Sequence, residues 1–309
     1  MAEPIAGACF EYTTHVGKEK GVTGMAEAAA AKESGAGGAV EGSASDAQKS
    51  TQNTQYDQIG TEYLKIKELP AAESELPSIL AALGEDGVKG KRCLDLACGT
   101  GKYTHLLHVL GATSATGYDI SSTMISGALS AYPPAQFPTL YFDVKDCSIP
   151  ESLPVPDDGA FDLVFSAWFL NYAGSERELI NMFRVIDNQM NAGGRFIGLT
   201  TDAHDADMHI PKPDFYGLDV LVLDPEYADP NSRQVLGIKA RVVVGGGQGF
   251  SFDVYQFKRD VYERCAKEAG LTIEWKEVVV PNDERRATGF WDVYLARPTF
   301  AMLEARRVV

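Results

Sequence analysis

Long apolar runs are missing from this 309-residue chain. No stretch of about eighteen apolar residues occurs, so a membrane-spanning helix is not expected. Basic charge is also scarce. Lys and Arg number 28 against 43 Asp and Glu, giving a formal net charge of −15. Such a chain repels phosphate backbones and anionic lipid surfaces, which makes nucleic acid and membrane poor partners and a small molecule a better one. Cysteine is sparse and shows no paired spacing. Cys9, Cys93, Cys98, Cys147 and Cys265 form an odd set without a CxxC pair. That usage fits a reducing, cytoplasmic setting. The histidines lack metal-ligand spacing, and His204 and His209, five residues apart, are not a helix-face pair. The opening Met-Ala-Glu-Pro has no basic region and leads into no continuous apolar stretch, so no secretory leader is expected.

What is present is a domain-sized apolar content, 45% of residues. It is unevenly spread. Residues 1–52 are rich in Ala, Gly, Ser, Glu and Lys and are expected to form a flexible tail. Order is expected from residue 53, with helices over residues 53–90. Tyr56, Ile59 and Tyr63 follow a helical spacing, and a second helix over 74–83 carries Leu76, Ile79, Leu80 and Leu83 on one face.

Strands and helices then alternate about five times. The strands fall near 92–97, 115–118, 140–144, 161–167 and 195–200, with Ser121 and Ser175 as N-caps of intervening helices. The pattern predicts an α/β, doubly wound, mostly parallel sheet with helices on both faces. Residues 201–257 break the rhythm. Two strand-like pieces there flank Gly245-Gly246-Gly247 and predict a hairpin within an insertion that caps the sheet. A helix over 260–269 and strands near 272–280 and 290–295 predict an antiparallel terminal hairpin.

The chemistry concentrates at Asp95-Leu96-Ala97-Cys98-Gly99-Thr100-Gly101, a strand ending in a glycine turn that opens a helix. Glycines let the backbone turn sharply and approach a ligand, and the helix N-terminus favours an anion. Dinucleotide sites use a related turn with a third glycine, whose position here is Thr104. Asp119 ends the second strand, 20 residues past Gly99, where a carboxylate accepts both ribose hydroxyls. Asp146, with Asp143 as its competitor, follows the third strand and suits an exocyclic amine. Ser166-Ala167-Trp168 ends the fourth strand and lines the floor. Asp95 reads as a brace for the turn.

These motifs resemble class I S-adenosylmethionine-dependent methyltransferases. Asp95–Gly101 resembles motif I, Gly117-Tyr118-Asp119-Ile120-Ser121 with Met124 the next motif, and Lys145-Asp146-Cys147 the adenine-side motif. Phe161–Tyr172 and Gly289–Tyr294 are similar to the toxoflavin-synthase-like, small-molecule subgroup. The likeness covers about residues 53–300, and a methyltransferase domain over 53–309 follows from it. It implies a seven-stranded sheet, S-adenosylmethionine as cofactor and S-adenosylhomocysteine as product. It also implies cofactor contacts from Tyr56, Tyr63, Ala97, Cys98, Gly99, Gly101, Asp119, Ile120, Met124, Asp146, Cys147, Ser166 and Ala167. The reaction would be methyl transfer to N, O or S of a small molecule. His204, His209, Asp202 and Tyr172 are the candidate bases, and an acceptor that loses no proton needs none. Two other readings stand beside this one: an NAD-dependent oxidoreductase and a non-catalytic cofactor-binding scaffold.

Overall fold

The computed structural model describes residues 55, 59–85, 87–153, 160–246 and 249–308. Tyr56, the tail over 1–52, Pro154, Pro156 and Gly247 lie outside the described residues.

Two central strands of the main sheet are short apolar runs whose successive side chains enter opposite cores. From β1 (Arg92–Leu96), Cys93 joins one core and Leu94 the other. From β4 (Phe161–Ala167), Leu163 and Phe165 face one side and Val164 the opposite side. Burial on both faces is what helices packed on both sides of a parallel sheet require. The remaining strands of this sheet are β2 (Ser114–Asp119), β3 (Leu140–Val144), β5 (Met190–Thr201), β10 (Leu271–Lys276) and β11 (Phe300–Arg307). Their order is β10-β11-β5-β4-β1-β2-β3. Pairing is parallel from β3 through β5, and β11 runs antiparallel to both β5 and β10. The expected seven-stranded sheet with one reversed strand is therefore present.

One expected strand is a helix. Residues 290–295 contribute no strand; α7 (Asp292–Ala296) occupies the segment, and the reversed strand is β11. Trp291 and Tyr294 are fully buried while Val293 and Leu295 are exposed, a spacing of three and not of two.

Before β1 lie a 3-10 helix (Gly60–Glu68), α1 (Pro70–Glu73) and α2 (Glu75–Leu83). The buried face of α2 is Glu75, Ser78, Ile79, Ala82 and Leu83, whereas Leu76 and Leu80 are exposed. The apolar stripe read from sequence was thus rotated, and a carboxylate sits on the true inner face. Between the strands run α3 (Lys102–Val109), α4 (Ser122–Ala131), α5 (Glu176–Gln189) and α6 (Arg259–Glu268). Ser121 caps α4 by accepting from the Met124 N–H, and Ser175 caps α5 by accepting from Glu178. The Glu178 carboxylate returns to the Gly174 N–H at 2.6 Å.

The insertion is larger than a hairpin. It forms an antiparallel sheet in the order β6 (Lys212–Phe215), β7 (Leu218–Ala228), β8 (Val235–Val244) and β9 (Phe250–Phe257). The expected hairpin is its β8–β9 pair, in register from Val244–Phe250 to Gly237–Phe257.

Candidate functional site

In the main sheet the chain steps outward from β1 to β2 and β3, then returns to place β4 on the other side of β1. Strand order reverses between β1 and β4, and a crevice opens at their carboxyl ends. Two non-glycine residues with left-handed backbone flank it. Ala97 follows β1 with φ 58° and Trp168 follows β4 with φ 62°. Such strain persists only where the surroundings hold it, and it collects at ligand sites.

The cleft is about 1040 Å³, its open mouth included. The β1 turn contributes Ala97, Cys98, Gly99 and Thr100, and the β2 end contributes Asp119 and Ile120. Met124, Asp146, Cys147 and Ser148 line one flank, while Tyr63, Ala167, Trp168, Phe169 and Tyr172 line the other. Ten cofactor candidates named from the sequence therefore border one cavity: Tyr63, Ala97, Cys98, Gly99, Asp119, Ile120, Met124, Asp146, Cys147 and Ala167.

The glycines divide the work of the turn. Gly99 has φ +55° and nothing within 4 Å of the place a Cβ would occupy. Its open side belongs to the cleft. Gly101 has φ +82°, and a Cβ there would stand 2.8 Å from the Phe142 ring. Gly101 does not border the cleft; it shapes the turn and caps α3. Asp119 ties the turn down. Its Oδ2 accepts from the Gly99 N–H at 2.8 Å and its Oδ1 from the Ser121 N–H at 2.9 Å.

Asp95 is 1% exposed and accepts from the Thr104 hydroxyl at 2.7 Å. Burial is the main reason its carboxyl is pushed up to about 7, with Asp119 adding to the rise. It is a brace, as expected. Asp146 accepts from the Ser148 N–H and hydroxyl at 2.9 and 2.6 Å. Its competitor Asp143 is exposed and pairs with Lys145 at 3.2 Å, away from the cleft. Ser166 is a correction. It is fully buried between β1 and β5, does not border the cleft, and its Oγ has no hydrogen-bond partner among the described residues.

Of the candidate bases, only Tyr172 borders the cleft. Burial raises its phenol well above the usual range, so at neutral pH it keeps its proton. His204 and His209 are not brought to the cleft. Both line a separate surface groove with Arg259, Asp260 and Glu263. The His204 ring packs edge-on against Trp275 at 4.8 Å. Burial, then the Arg259 charge, lowers its imidazole. Asp202 is buried; burial pushes its carboxyl up to about 6, and its Oδ1 accepts from the His204 N–H. Burial also pushes up the Cys98 and Cys147 thiols, which stay protonated as small apolar wall residues.

Sequence reading missed a buried cluster centred on Glu75. This carboxylate takes Lys67 Nζ at 2.7 and 3.0 Å, the Trp168 indole N–H at 2.9 Å and the Tyr103 hydroxyl. Burial opposes the charge on Glu75, but Lys67, then Lys102, and the hydrogen bonds bring its carboxyl below its ordinary value. For Lys67, burial opposes charge and Glu75 overcomes it, raising the amine. Desolvation, then the like charge of Lys67, lowers Lys102. Lys67, Lys102 and Tyr103 all border the cleft. The signal was available: Glu75, Ser78, Ile79 and Ala82 follow the i, i+3, i+4, i+7 spacing of a buried face.

Among the described residues there is no cluster able to hold a metal ion and no helix long and apolar enough to cross a membrane.

Residues 94–198 match the family model described as a methyltransferase domain. Among solved structures, an S-adenosylmethionine-dependent methyltransferase from Mesorhizobium loti is 21% identical with TM-score 0.53, over 77% of this chain and 100% of that one. The CcbJ methyltransferase from Streptomyces caelestis is 17% identical with TM-score 0.55, over 84% and 99%. DhpI, solved as its SAH complex, is 19% identical with TM-score 0.52, over 83% and 95%. At these identities the likeness is one of fold. No curated protein sequence matches the chain.

Proposed function

Starting from a chain that carries a methyltransferase domain on the S-adenosylmethionine-dependent methyltransferase fold, we propose that the protein transfers a methyl group from that cofactor to a small molecule. The observation that carries the reading is the joint placement of Gly99, Asp119 and Asp146 around one cleft at the strand-order reversal. The residues present suit an adenosyl group bearing a carboxylate. Asp119 offers a carboxylate for the ribose hydroxyls, and Asp146 and Ser148 offer polar atoms for the adenine edge. Ile120 and Met124 give apolar cover, and the open side of Gly99 leaves room for close approach. Lys67 and Lys102 bring positive charge for the carboxylate, near the N-terminus of α3.

When bound, S-adenosylmethionine supplies a methyl group already activated on a sulfonium. The protein's part is alignment and exclusion of water. Holding two reactants in attack geometry contributes about 7–11 kcal/mol. Trp168, Phe169 and Tyr172 form an apolar wall at the β4 end of the cleft, and Tyr63 closes it from the N-terminal 3-10 helix. Tyr172 stays protonated and can donate a hydrogen bond. No base is assigned, which suits a nucleophile that need lose no proton before it attacks.

Within the fold, the segment Phe161–Tyr172 supports the small-molecule, toxoflavin-synthase-like subgroup. The net charge of −15 supports an acceptor other than nucleic acid or membrane, and reduced buried cysteines support a cytoplasmic setting. The domain proposed is 53–309, with residues 53–90 as a lid and 201–257 as the substrate cap.

The test is tritium transfer from methyl-labelled cofactor into a small-metabolite extract. Labelled product dependent on the protein supports an enzyme. Cofactor binding with no labelled product across extracts supports the alternative, a non-catalytic binding scaffold.

A further inference from the structure

A second cavity, about 680 Å³ with its mouth, lies directly behind the wall of the first. Tyr63 and Trp168 border both, so the two cavities share these two residues as a common wall. One side of the second cavity is the inner face of the antiparallel sheet. Val220 of β7 pairs with Val242 of β8, which pairs with Phe252 of β9; Ala240 pairs with Val254. All five line the cavity, because alternate residues of a strand share a face. The opposite side is Ile66, Ala71 and Ala72.

The charges at its edge are already satisfied. Lys212 spends its three N–H groups on Asp205 at 3.2 Å and on the carbonyls of Arg297 and Pro298 at 3.1 and 2.8 Å. Glu75 is held by Lys67, Tyr103 and Trp168. A charged ligand would meet no free counter-charge in either. One polar side chain is not used up. Gln256, 7% exposed and bordering the cavity, donates its amide N–H to the Asp202 carbonyl at 2.8 Å. Its Oε1 accepts no hydrogen bond among the described residues. A carbonyl oxygen bordering a cavity in this way can accept a hydrogen bond from a ligand donor.

We propose that this second cavity is the methyl-acceptor site, and that it takes a neutral, mainly apolar molecule carrying one N–H or O–H donor, which Gln256 Oε1 accepts. Resting on the methyltransferase reading, the acceptor lies on the Val220–Val242–Phe252 face and presents its nucleophile between Tyr63 and Trp168. Specificity then resides in the inserted sheet and not in the cofactor cleft.

The test uses N-phenyl-1-naphthylamine, a neutral, apolar fluorophore with a single N–H, titrated into the full chain. S-adenosylhomocysteine is titrated separately into the same preparations by calorimetry. Wild type is expected to enhance the fluorescence saturably. Val242→Trp, and independently Val220→Phe, fill the cavity and should weaken the probe by about tenfold or more. Gln256→Leu should weaken it by about fivefold, the worth of one net hydrogen bond. S-adenosylhomocysteine affinity should stay within about twofold of wild type in every variant, which also reports that the variant has folded. Probe binding that is equal in wild type and both filled variants overturns the proposal. Probe binding lost as expected in variants whose circular dichroism matches wild type, while S-adenosylhomocysteine fails to bind any preparation, overturns the methyltransferase reading and leaves the cavity assignment as a ligand site.

Discussion

Asp119 Oδ2 accepts a hydrogen bond from the Gly99 backbone N–H at 2.8 Å, joining the end of β2 to the turn that follows β1. The other oxygen of the same carboxylate receives the Ser121 N–H at 2.9 Å and so fixes the start of α4. One side chain thus holds both loops that line the adenosyl side of the cleft, before any ligand arrives. A carboxylate held in this way needs little reorganisation to serve a ligand, which is what preorganisation means energetically.

Glu75 supports three elements at once, and its removal should be felt in stability. Glu75→Ala leaves the Lys67 ammonium buried without its partner, together with the Trp168 indole and Tyr103 hydroxyl. Breaking one side of a buried ion pair costs about 3–5 kcal/mol. Urea unfolding should show that loss. Glu75→Gln keeps the shape and the indole bond and should lose less.

Gly99 and Gly101 should respond differently to alanine, although both have positive φ. Gly101→Ala drives a Cβ into the Phe142 ring and should lower stability by about 1–3 kcal/mol beyond backbone strain. Gly99→Ala meets open space and should cost only the backbone strain, about 1–2 kcal/mol of stability. It places a methyl group in the cleft, so calorimetry should find the larger loss of S-adenosylhomocysteine affinity at Gly99.

The raised Asp95 carboxyl makes a signed pH prediction. A carboxyl with a folded value of about 7 and an ordinary value of 3.8 is protonated in the folded state while the unfolded chain has ionised. The folded state binds more protons across that interval, so stability falls as pH rises through it and levels off above. Asp95→Asn removes the titration and can keep the Thr104 bond. The difference in unfolding free energy, variant minus wild type, should climb from about pH 4 to about pH 7 and then flatten. A flat difference over that range would contradict the burial argument.

His204 and His209 line a groove with Arg259 and Glu263 and border neither cavity. His204→Ala and His209→Ala should therefore leave turnover within about twofold of wild type once an acceptor is in hand.

Local features were legible in the sequence because their causes are local. A glycine turn after an apolar run, serine caps and Asp119 at a strand end need only near neighbours, and each stands where its spacing indicated. Thr104 shows how far that reaches. The glycine that a dinucleotide turn places there is replaced by Gly117 on β2, where a Cβ would stand 2.8 Å from both Thr104 Oγ1 and Cys98 Sγ. The remainder was hidden because its partners are distant in sequence. Glu75 meets residues 67, 103 and 168, and the cavity face joins three strands of the inserted sheet. Residues 290–295 carry aromatic and branched residues that favour a strand, yet Tyr216 stacks on Trp291 at 5.6 Å and Tyr294 packs beside it, which selects a helix. His204 follows β5 as a base should, but the chain carries it to Trp275 of β10.

The central claim is that the cleft around Asp119 binds an adenosyl cofactor. Calorimetric titration of S-adenosylhomocysteine into wild type and Asp119→Ala tests it most directly. Wild type should show a single site of micromolar affinity. In the variant that affinity should fall by about tenfold to a hundredfold, the worth of hydrogen bonds to a charged group. No heat of binding in the folded wild type, or equal affinity in the two proteins, would contradict it.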